Sequence, residues 1–474
     1  MSFLAQYPQL KTIQTLARKK RLGVFLVGGF LRDHCLGREQ ADFDFAVDKN
    51  AITFARHCAD VLKGAFVLLD DENGCGRIVK KVGNAVWTFD FANFRAETLK
   101  KDIAARDFTI NTLYADLMKI KDGDDIDAHI VDLGGARKDL AKKTIRLVSV
   151  QAFKDDPLRL MRAFSLQAAL GFKIESKTAA RIKKESALIR SVSMERVREE
   201  AFKVLSSPRA FQTIKDMDRA GLLVRVIPQL AVMFGVKQGG YHHLDVWKHS
   251  MEVLRQFEMV VEEFKDDPDV SAYLQETVAA NHTRVSLIKL AALLHDIGKP
   301  DTKKVEPGRT SFHGHEHVGR NITRIVAKHL KLSVRERHVL EDMVLYHLRP
   351  GYLSNFKNPT ERSVFRYFRD TKDEAAAILL LSLADQRSTR GPLTTEADQK
   401  HHAKICLGLI KQFFAEKKKV PLMRLIDGND LIKKFKLKPS PVFAKILTAV
   451  QEAQALGKVS NKKEALALAA RMIK

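Results

Sequence analysis

Cysteine is scarce and scattered. Cys35, Cys58, Cys75 and Cys406 are the only four in 474 residues, and no two form a C-x-x-C pair. That pattern excludes a disulfide framework and a thiolate zinc module. No apolar run approaches the roughly 20 residues a membrane span needs, so no membrane partner is expected. The start, Met-Ser-Phe-Leu-Ala-Gln-Tyr-Pro, lacks the basic-then-apolar order of a secretory signal, which makes the reducing cytoplasm the expected compartment. Rings with polar edges are few, 7 Tyr and 2 Trp against 27 Phe, so composition offers no base-stacking platform. Acid is in deficit: 81 Lys and Arg against 57 Asp and Glu leave a net charge of +24. A chain this basic is expected to meet a polyanion, nucleic acid first. With 45% hydrophobic and 29% charged residues the rest is ordinary globular protein, not a disordered chain. At roughly 150 residues per domain, about three domains are expected.

The pattern divides the chain at residues 145, 238 and 395. Residues 1–145 alternate strands and helices: Val24–Gly28 is a short buried strand, and Phe43–Val47 and Val86–Phe94 alternate apolar and acidic residues as half-buried strands do. From 146 to 238 the pattern is almost wholly helical, with Asp156-Pro157 opening a helix as a capping acid followed by proline. Helical periodicity resumes in 239–395, with a turn-rich stretch at Lys299–Gly314, and a basic helical segment closes the chain at 396–474. The expected fold class is therefore α+β, a mixed-sheet head followed by all-α modules. No internal repeat and no signal for an oligomeric state is present.

Gly28-Gly29-Phe30-Leu31-Arg32-Asp33 places two glycines between a strand and a helix. Without Cβ atoms their backbone can approach a triphosphate closely, and the helix start favours negative charge; alone, such a pair is merely a tight turn. Thirteen residues on, Asp42-Phe43-Asp44 puts two carboxylates on one strand face, a donor set suited to Mg²⁺. A third acid, Asp90, stands in the alternating strand Phe89-Asp90-Phe91.

Gly28–Asp48 (GGFLRDHCLGREQADFDFAVD) resembles the signature of the class II nucleotidyltransferases, the bacterial tRNA CCA-adding enzymes and poly(A) polymerases. Further blocks follow in family order. Ala105–Leu113 (ARDFTINTL) resembles the RRDFTxNAL motif with Ala105 for the first arginine, and Asp132-Leu133-Gly134-Gly135 resembles the D-x-x-GG turn, one residue shorter. Asp155–Arg159 (DDPLR) resembles the nucleotide-selecting EDxxR motif, and Glu195-Arg196-Val197 opens the last helical motif of the neck. The resemblance, over roughly residues 20–230, implies that Asp42, Asp44 and Asp90 are the catalytic carboxylates, the first two holding Mg²⁺. It further implies that Gly28, Gly29 and Arg32 contact the triphosphate, and that Arg106, Asp107, Asn111, Asp156, Arg159 and Arg162 bind the incoming nucleotide.

In this family the protein itself selects the base. A carboxylate such as Asp156 only accepts, and a guanidinium such as Arg159 only donates; at i and i+3 they share a helix face. Cytosine and adenine each offer an amino group beside a ring acceptor, whereas guanine and uracil reverse the order, so one pair admits C and A alone. Between Arg95 and Ala105 only nine residues intervene, Ala96–Ala104. Family members that add the terminal A carry a longer flexible loop here, so the resemblance points to CC addition from CTP. Full CCA addition with CTP and ATP comes next, and A addition or poly(A) synthesis last.

In the third segment, Leu293–Lys299 (LLHDIGK) carries a His-Asp pair at the end of an apolar helix, and His249, His315, His347 and Asp385 lie in other helical stretches. Buried polar side chains are costly unless compensated, and neutral imidazoles with carboxylates suit divalent transition metals. The order H…HD…H…H…D over residues 242–390 resembles the HD-domain phosphohydrolases. The resemblance implies a core set of His249, His295, Asp296 and Asp385, with His315 and His347 completing a two-metal site for Ni, Mn, Co, Fe or Zn. It also implies phosphatase or 2′,3′-cyclic phosphodiesterase activity. His242, His243, His313 and His317 are expected nearby without ligating, and His401-His402 on the surface. The tail, Leu425–Leu447, would offer Lys433, Lys434, Lys436 and Lys438 to phosphates.

The expected function is thus template-independent nucleotide addition to a tRNA 3′ end. The competing expectations are a phosphohydrolase whose basic head merely binds RNA, and a non-enzymatic RNA scaffold.

Overall fold

The computed structural model describes residues 2–83, 85–307, 309–419, 423–436, 438 and 440–473. Gly308 of the turn-rich stretch and Leu437 and Pro439 of the tail motif lie outside the described residues. The chain forms two compact units, residues 1–226 and 227–474.

The first unit is built on a seven-stranded mixed sheet in the order β3-β4-β5-β2-β1-β6-β7. Its strands are β1 (Val24–Val27), β2 (Asp42–Val47), β3 (Ala65–Asp70), β4 (Cys75–Val82), β5 (Ala85–Asn93), β6 (Leu113–Asp116) and β7 (Ile130–Asp132). The period of two in β2 and β5 decides which residues reach the site. Phe43 and Phe45 point inward and stack on Phe89 and Phe91, with ring centroids 5.1 and 4.6 Å apart. That burial forces the intervening acids to the opposite face, where parallel pairing of β2 with β5 sets Asp44 in register with Asp90.

Four helices complete the site of this unit: α1 (Gly29–Cys35), α2 (Leu99–Ala104), α3 (Arg159–Leu170) and α4 (Met194–Ser206). Helix α3 begins two residues later than the Asp-Pro signal predicts. Leu158 takes the N-cap position with no side-chain cap; Asp156 stands just before it and accepts the Leu158 N–H at 3.2 Å, while the first turn closes through the tighter i+3 bonds common at helix starts.

Among its described residues the second unit is helical apart from two small antiparallel strand pairs, Thr277–Ala279 with His282–Thr283 and Lys304–Glu306 with Arg309–Ser311. Its principal helices are α5 (Val246–Glu263), α6 (Arg284–Leu294), α7 (His315–His329), α8 (Val334–Tyr346), α9 (Ala375–Ser388) and α10 (Glu396–Lys417), then the tail helices α11 (Gly428–Phe435), α12 (Pro441–Ala455) and α13 (Lys462–Ile473). Every residue of α6 is buried; its apolar side chains face all round, and its two buried cations, Arg284 and Lys289, are paired with Glu374 and Glu258. The tail has its own small core around Leu431, Ile446, Val450 and Ala465. No helix among the described residues is long and apolar enough to cross a membrane.

Candidate active sites in the head and in the helical unit

Between β1 and α1 the chain turns on Gly28, whose φ of +74° disfavours any side chain. A Cβ there would stand 3.2 Å from Asp44 Oδ2 and 3.3 Å from Arg106 Nη1, so the glycine is what lets an acid and a base close around the turn. Beside it opens a cavity of about 400 Å³, lined by Gly28, Gly29, Arg32, Asp44 and Asp90 from the sheet side, Arg106, Asp107 and Asn111 from the segment after α2, and Asp156, Arg159 and Arg162 from the start of α3. Eleven of the twelve head and neck residues expected from sequence therefore share one space. The exception is Asp42, exposed at the start of β2, whose Oδ1 accepts the Thr88 hydroxyl at 2.5 Å.

The acids and bases of this cavity are interlocked. Asp44 accepts the Gly29 N–H, yet burial, and then the charge of Asp90, push its carboxyl above the ordinary value. Arg77 on β4 grips Asp90 through two parallel hydrogen bonds of 2.7 Å. Arg32 is fixed by Asp33 and donates to Asn111 Oδ1 at 2.8 Å; Asn111 donates to Asp107 at 3.0 Å, and Arg162 closes the chain on Asp107 at 2.8 Å. Burial alone would raise the Asp107 carboxyl, but Arg162 with these donors holds it well below the usual range.

The pair expected to read the base is not an ion pair. Asp156 faces Arg196 of α4 at 3.5 Å. The Arg159 guanidinium instead donates to backbone carbonyls, Ala105 at 2.8 Å, Ala152 at 3.2 Å and Arg106 at 3.4 Å, which leaves Nε–H and one Nη2 hydrogen uncommitted. Arg95, which precedes the short segment before Ala105, and Arg196 of the neck motif also line the cavity, and neither carries a site signal in the sequence. Arg77 carried no sequence signal, because only the β4–β5 register brings it opposite Asp90.

In the second unit the six expected ligands come together from five places: His249 on α5, His295 and Asp296 just after α6, His315 opening α7, His347 just after α8 and Asp385 on α9. They form two triads, His249/His295/Asp385 and Asp296/His315/His347, each with its ligand atoms within 4.8 Å of one another. No such triple forms among Asp42, Asp44 and Asp90 of the head. The Nδ1 atoms of His295, His315 and His347 each meet the carbonyl three residues back, Ala292, Phe312 and Val344, at 2.7–2.9 Å. That bond places the proton on Nδ1 and turns the Nε2 lone pair inward, the usual support of a metal-bound imidazole. Asp296 bridges the triads, with Oδ2 3.2 Å from His295 and Oδ1 3.3 Å from His315. Lys299 Nζ, unforeseen, sits 2.7 Å from Asp296 and donates to Gln238.

Of the flanking histidines, His242 packs edge-on against His249 at 4.7 Å, and His317 is exposed. His402, expected on the surface, is instead buried on the inner face of α10 between the hydroxyls of Ser354 and Ser382, each at 3.1 Å. Helix periodicity explains the correction, since Cys406 one turn later is buried too. Lys433, Lys434, Lys436 and Lys438 are all exposed.

Successive parts of the chain match known families. Residues 24–146 match the poly A polymerase head domain, 171–234 the "Probable RNA and SrmB- binding site of polymerase A", 246–399 the HD domain and 417–470 a tRNA nucleotidyltransferase domain 2. The A-adding tRNA nucleotidyltransferase of Deinococcus radiodurans is 31% identical over 457 residues, covering 95% of both chains. The CC-adding tRNA nucleotidyltransferase of Thermus thermophilus is 30% identical over 454 residues, 94% of this chain and 92% of its own. Among solved structures, a CCA-adding enzyme with ATP superposes with a TM-score of 0.63 at 19% identity, covering 98% of this chain and 95% of its own, a likeness of fold. On the two full-length relatives, the chain belongs to the tRNA nucleotidyltransferases of the CCA-adding family.

Proposed function

We propose that the head and neck add cytidines to the 3′ end of tRNA from CTP without a nucleic-acid template, and that the HD region hydrolyses phosphate esters. The observation that carries the first part is the single cavity in which Asp44 and Asp90 face one another below a ring of arginines, beside a glycine turn open to phosphate. The relatives' names and the +24 net charge support tRNA as the partner.

The carboxylates fit Mg²⁺: the donor set is all oxygen, and Asp44 carries a charge that its surroundings penalise. Asp42 and Asp44 would hold the ions, which when bound activate the attacking 3′-hydroxyl and neutralise the departing pyrophosphate. The rest falls to the chain. Gly28 and Gly29 admit the triphosphate, while Arg32, Arg106 and Arg162 bear its charge. The Asp107–Asn111 link keeps Arg32 and Arg162 aimed. Asp156 accepts the exocyclic amino group, and the two free donors of Arg159 meet the ring acceptors. Asp90, held by Arg77, keeps negative charge opposite Asp44.

Cytidine addition is favoured by the shortness and anchoring of the segment before Ala105. Within this segment Leu99–Ala104 form α2, whose Ile103 and Leu99 pack on Val27 and Ala46 of the sheet, which leaves little freedom to reshape the pocket from C to A. Addition of A alone is the second reading, favoured by the name of the Deinococcus relative. The two separate on a sequencing gel with tRNA ending at the discriminator base or after CC. Two residues from CTP alone, with no further growth on ATP, support CC addition. One residue from ATP, only on the CC-ended tRNA, supports the second reading, and growth to three with both nucleotides rejects single-base selection.

The HD triads fit two divalent transition ions through His249, His295 and Asp385 on one side and Asp296, His315 and His347 on the other. Ions bound there supply a nucleophilic water and charge neutralisation at phosphorus. The class of substrate proposed is a phosphomonoester or a 2′,3′-cyclic phosphate, tested by hydrolysis of each under added Ni²⁺, Mn²⁺ or Co²⁺. Failure on both substrates with every metal would reject the hydrolase.

A further inference from the structure

We infer that Asp102, a buried residue of α2 outside the cavity lining, is a positioning residue that sets nucleotide discrimination. Its carboxylate is 2% exposed and spans two ends of one loop. Oδ1 accepts the Arg95 backbone N–H at 2.9 Å, and Oδ2 meets Arg106 Nη2 at 3.3 Å. Helix α2 is started by the Thr98 cap and seated on the sheet through Ile103. The carbonyls that follow it, Ala105 and Arg106, are two of the three that grip the Arg159 guanidinium.

Two consequences follow from that wiring. The Arg106 side chain is held beside Asp44 and Gly28, where the triphosphate is proposed to lie. The Arg159 donors are held in one register relative to Asp156, so the pocket presents a single hydrogen-bond pattern. Removing the carboxylate frees the Arg106 side chain and loosens the backbone that Arg159 leans on. A buried charge cannot be lost there without reorganisation, because its donors then lack a partner. Asp102 touches no substrate, and its effect passes through Arg106 and Arg159.

This inference rests on the base-reading role proposed for Asp156 and Arg159, and one experiment separates the two. The full-length chain and its Asp102→Ala, Asp102→Asn and Asp156→Ala variants are assayed on saturating tRNA with CTP and ATP titrated separately. Asp102→Ala is expected to lower the ratio of kcat/KM for the preferred over the other nucleotide by about tenfold, mainly through KM. Asp102→Asn keeps an acceptor for the Arg95 N–H and is expected to retain part of that ratio. A folded Asp102→Ala with an unchanged ratio, or with kcat lowered equally on both nucleotides, overturns the inference while a shifted Asp156→Ala ratio leaves base reading standing. An unchanged ratio in Asp156→Ala overturns base reading itself and the inference with it. Should Asp102→Ala fail to fold, the Asn variant decides: a partial loss of discrimination supports the assignment and none overturns it.

Discussion

His315 and His347 bring their Nε2 atoms to 3.2 Å of each other, while the Nδ1 of each is tied to a backbone carbonyl. With both Nδ1 atoms donating to carbonyls, the Nε2 lone pairs of the two neutral rings face one another, and neither ring can satisfy the other. A shared cation can.

The chain should therefore copurify with a divalent transition metal, measurable by inductively coupled plasma mass spectrometry. His347→Ala should lose about one equivalent per chain and His295→Ala another, whatever substrate is tried. Acid should release both, since imidazole ligates only when deprotonated. Metal content unchanged by either substitution would speak against the two triads.

Gly28→Ala should raise the KM for nucleotide by about tenfold or more, since the new methyl enters the space between Asp44 and Arg106 and strains the backbone. Gly37→Ala is the control. It shares a positive φ of +67° but meets nothing within 4 Å, so it should lose some stability and leave KM alone. Equal KM effects from both would assign the loss to backbone strain.

Asp107 links acid sensitivity to the site. Its native carboxyl is depressed by Arg162, so its stabilising contribution is complete above an unfolded value of about 3.9 and fades as pH falls through the native one. Asp107→Asn should lower the melting temperature of the head-and-neck unit by about 3–6 °C at pH 7 and by a somewhat smaller amount near pH 3, where the native carboxyl is still ionised but the unfolded one is largely protonated. Calorimetry at the two values checks the difference, and a deficit that grows in acid has the wrong sign.

Much of this architecture was legible because strand and helix periods expose their own logic. The Phe-Asp alternation in β2 and β5 announced both the stacked phenylalanines and the acids opposite them. The wholly apolar run before His295 announced a buried helix, and hence a polar pair in need of compensation. What escaped is what only tertiary register creates. Arg77 reaches Asp90 through strand pairing, Arg159 spends its donors on carbonyls contributed by a distant loop, and Lys299 finds Asp296 only because the chain turns just after α6. His402 was misplaced because a lone histidine pair gives no sign of which face of a long, weakly amphipathic helix is covered.

The most direct test is incorporation of labelled CMP into tRNA by Asp44→Ala and Asp42→Ala, with Asp296→Ala alongside. The two head variants should lose incorporation by about a thousandfold or more with metal content in the HD triads intact, and Asp296→Ala should incorporate normally. Normal incorporation by Asp44→Ala would contradict the account.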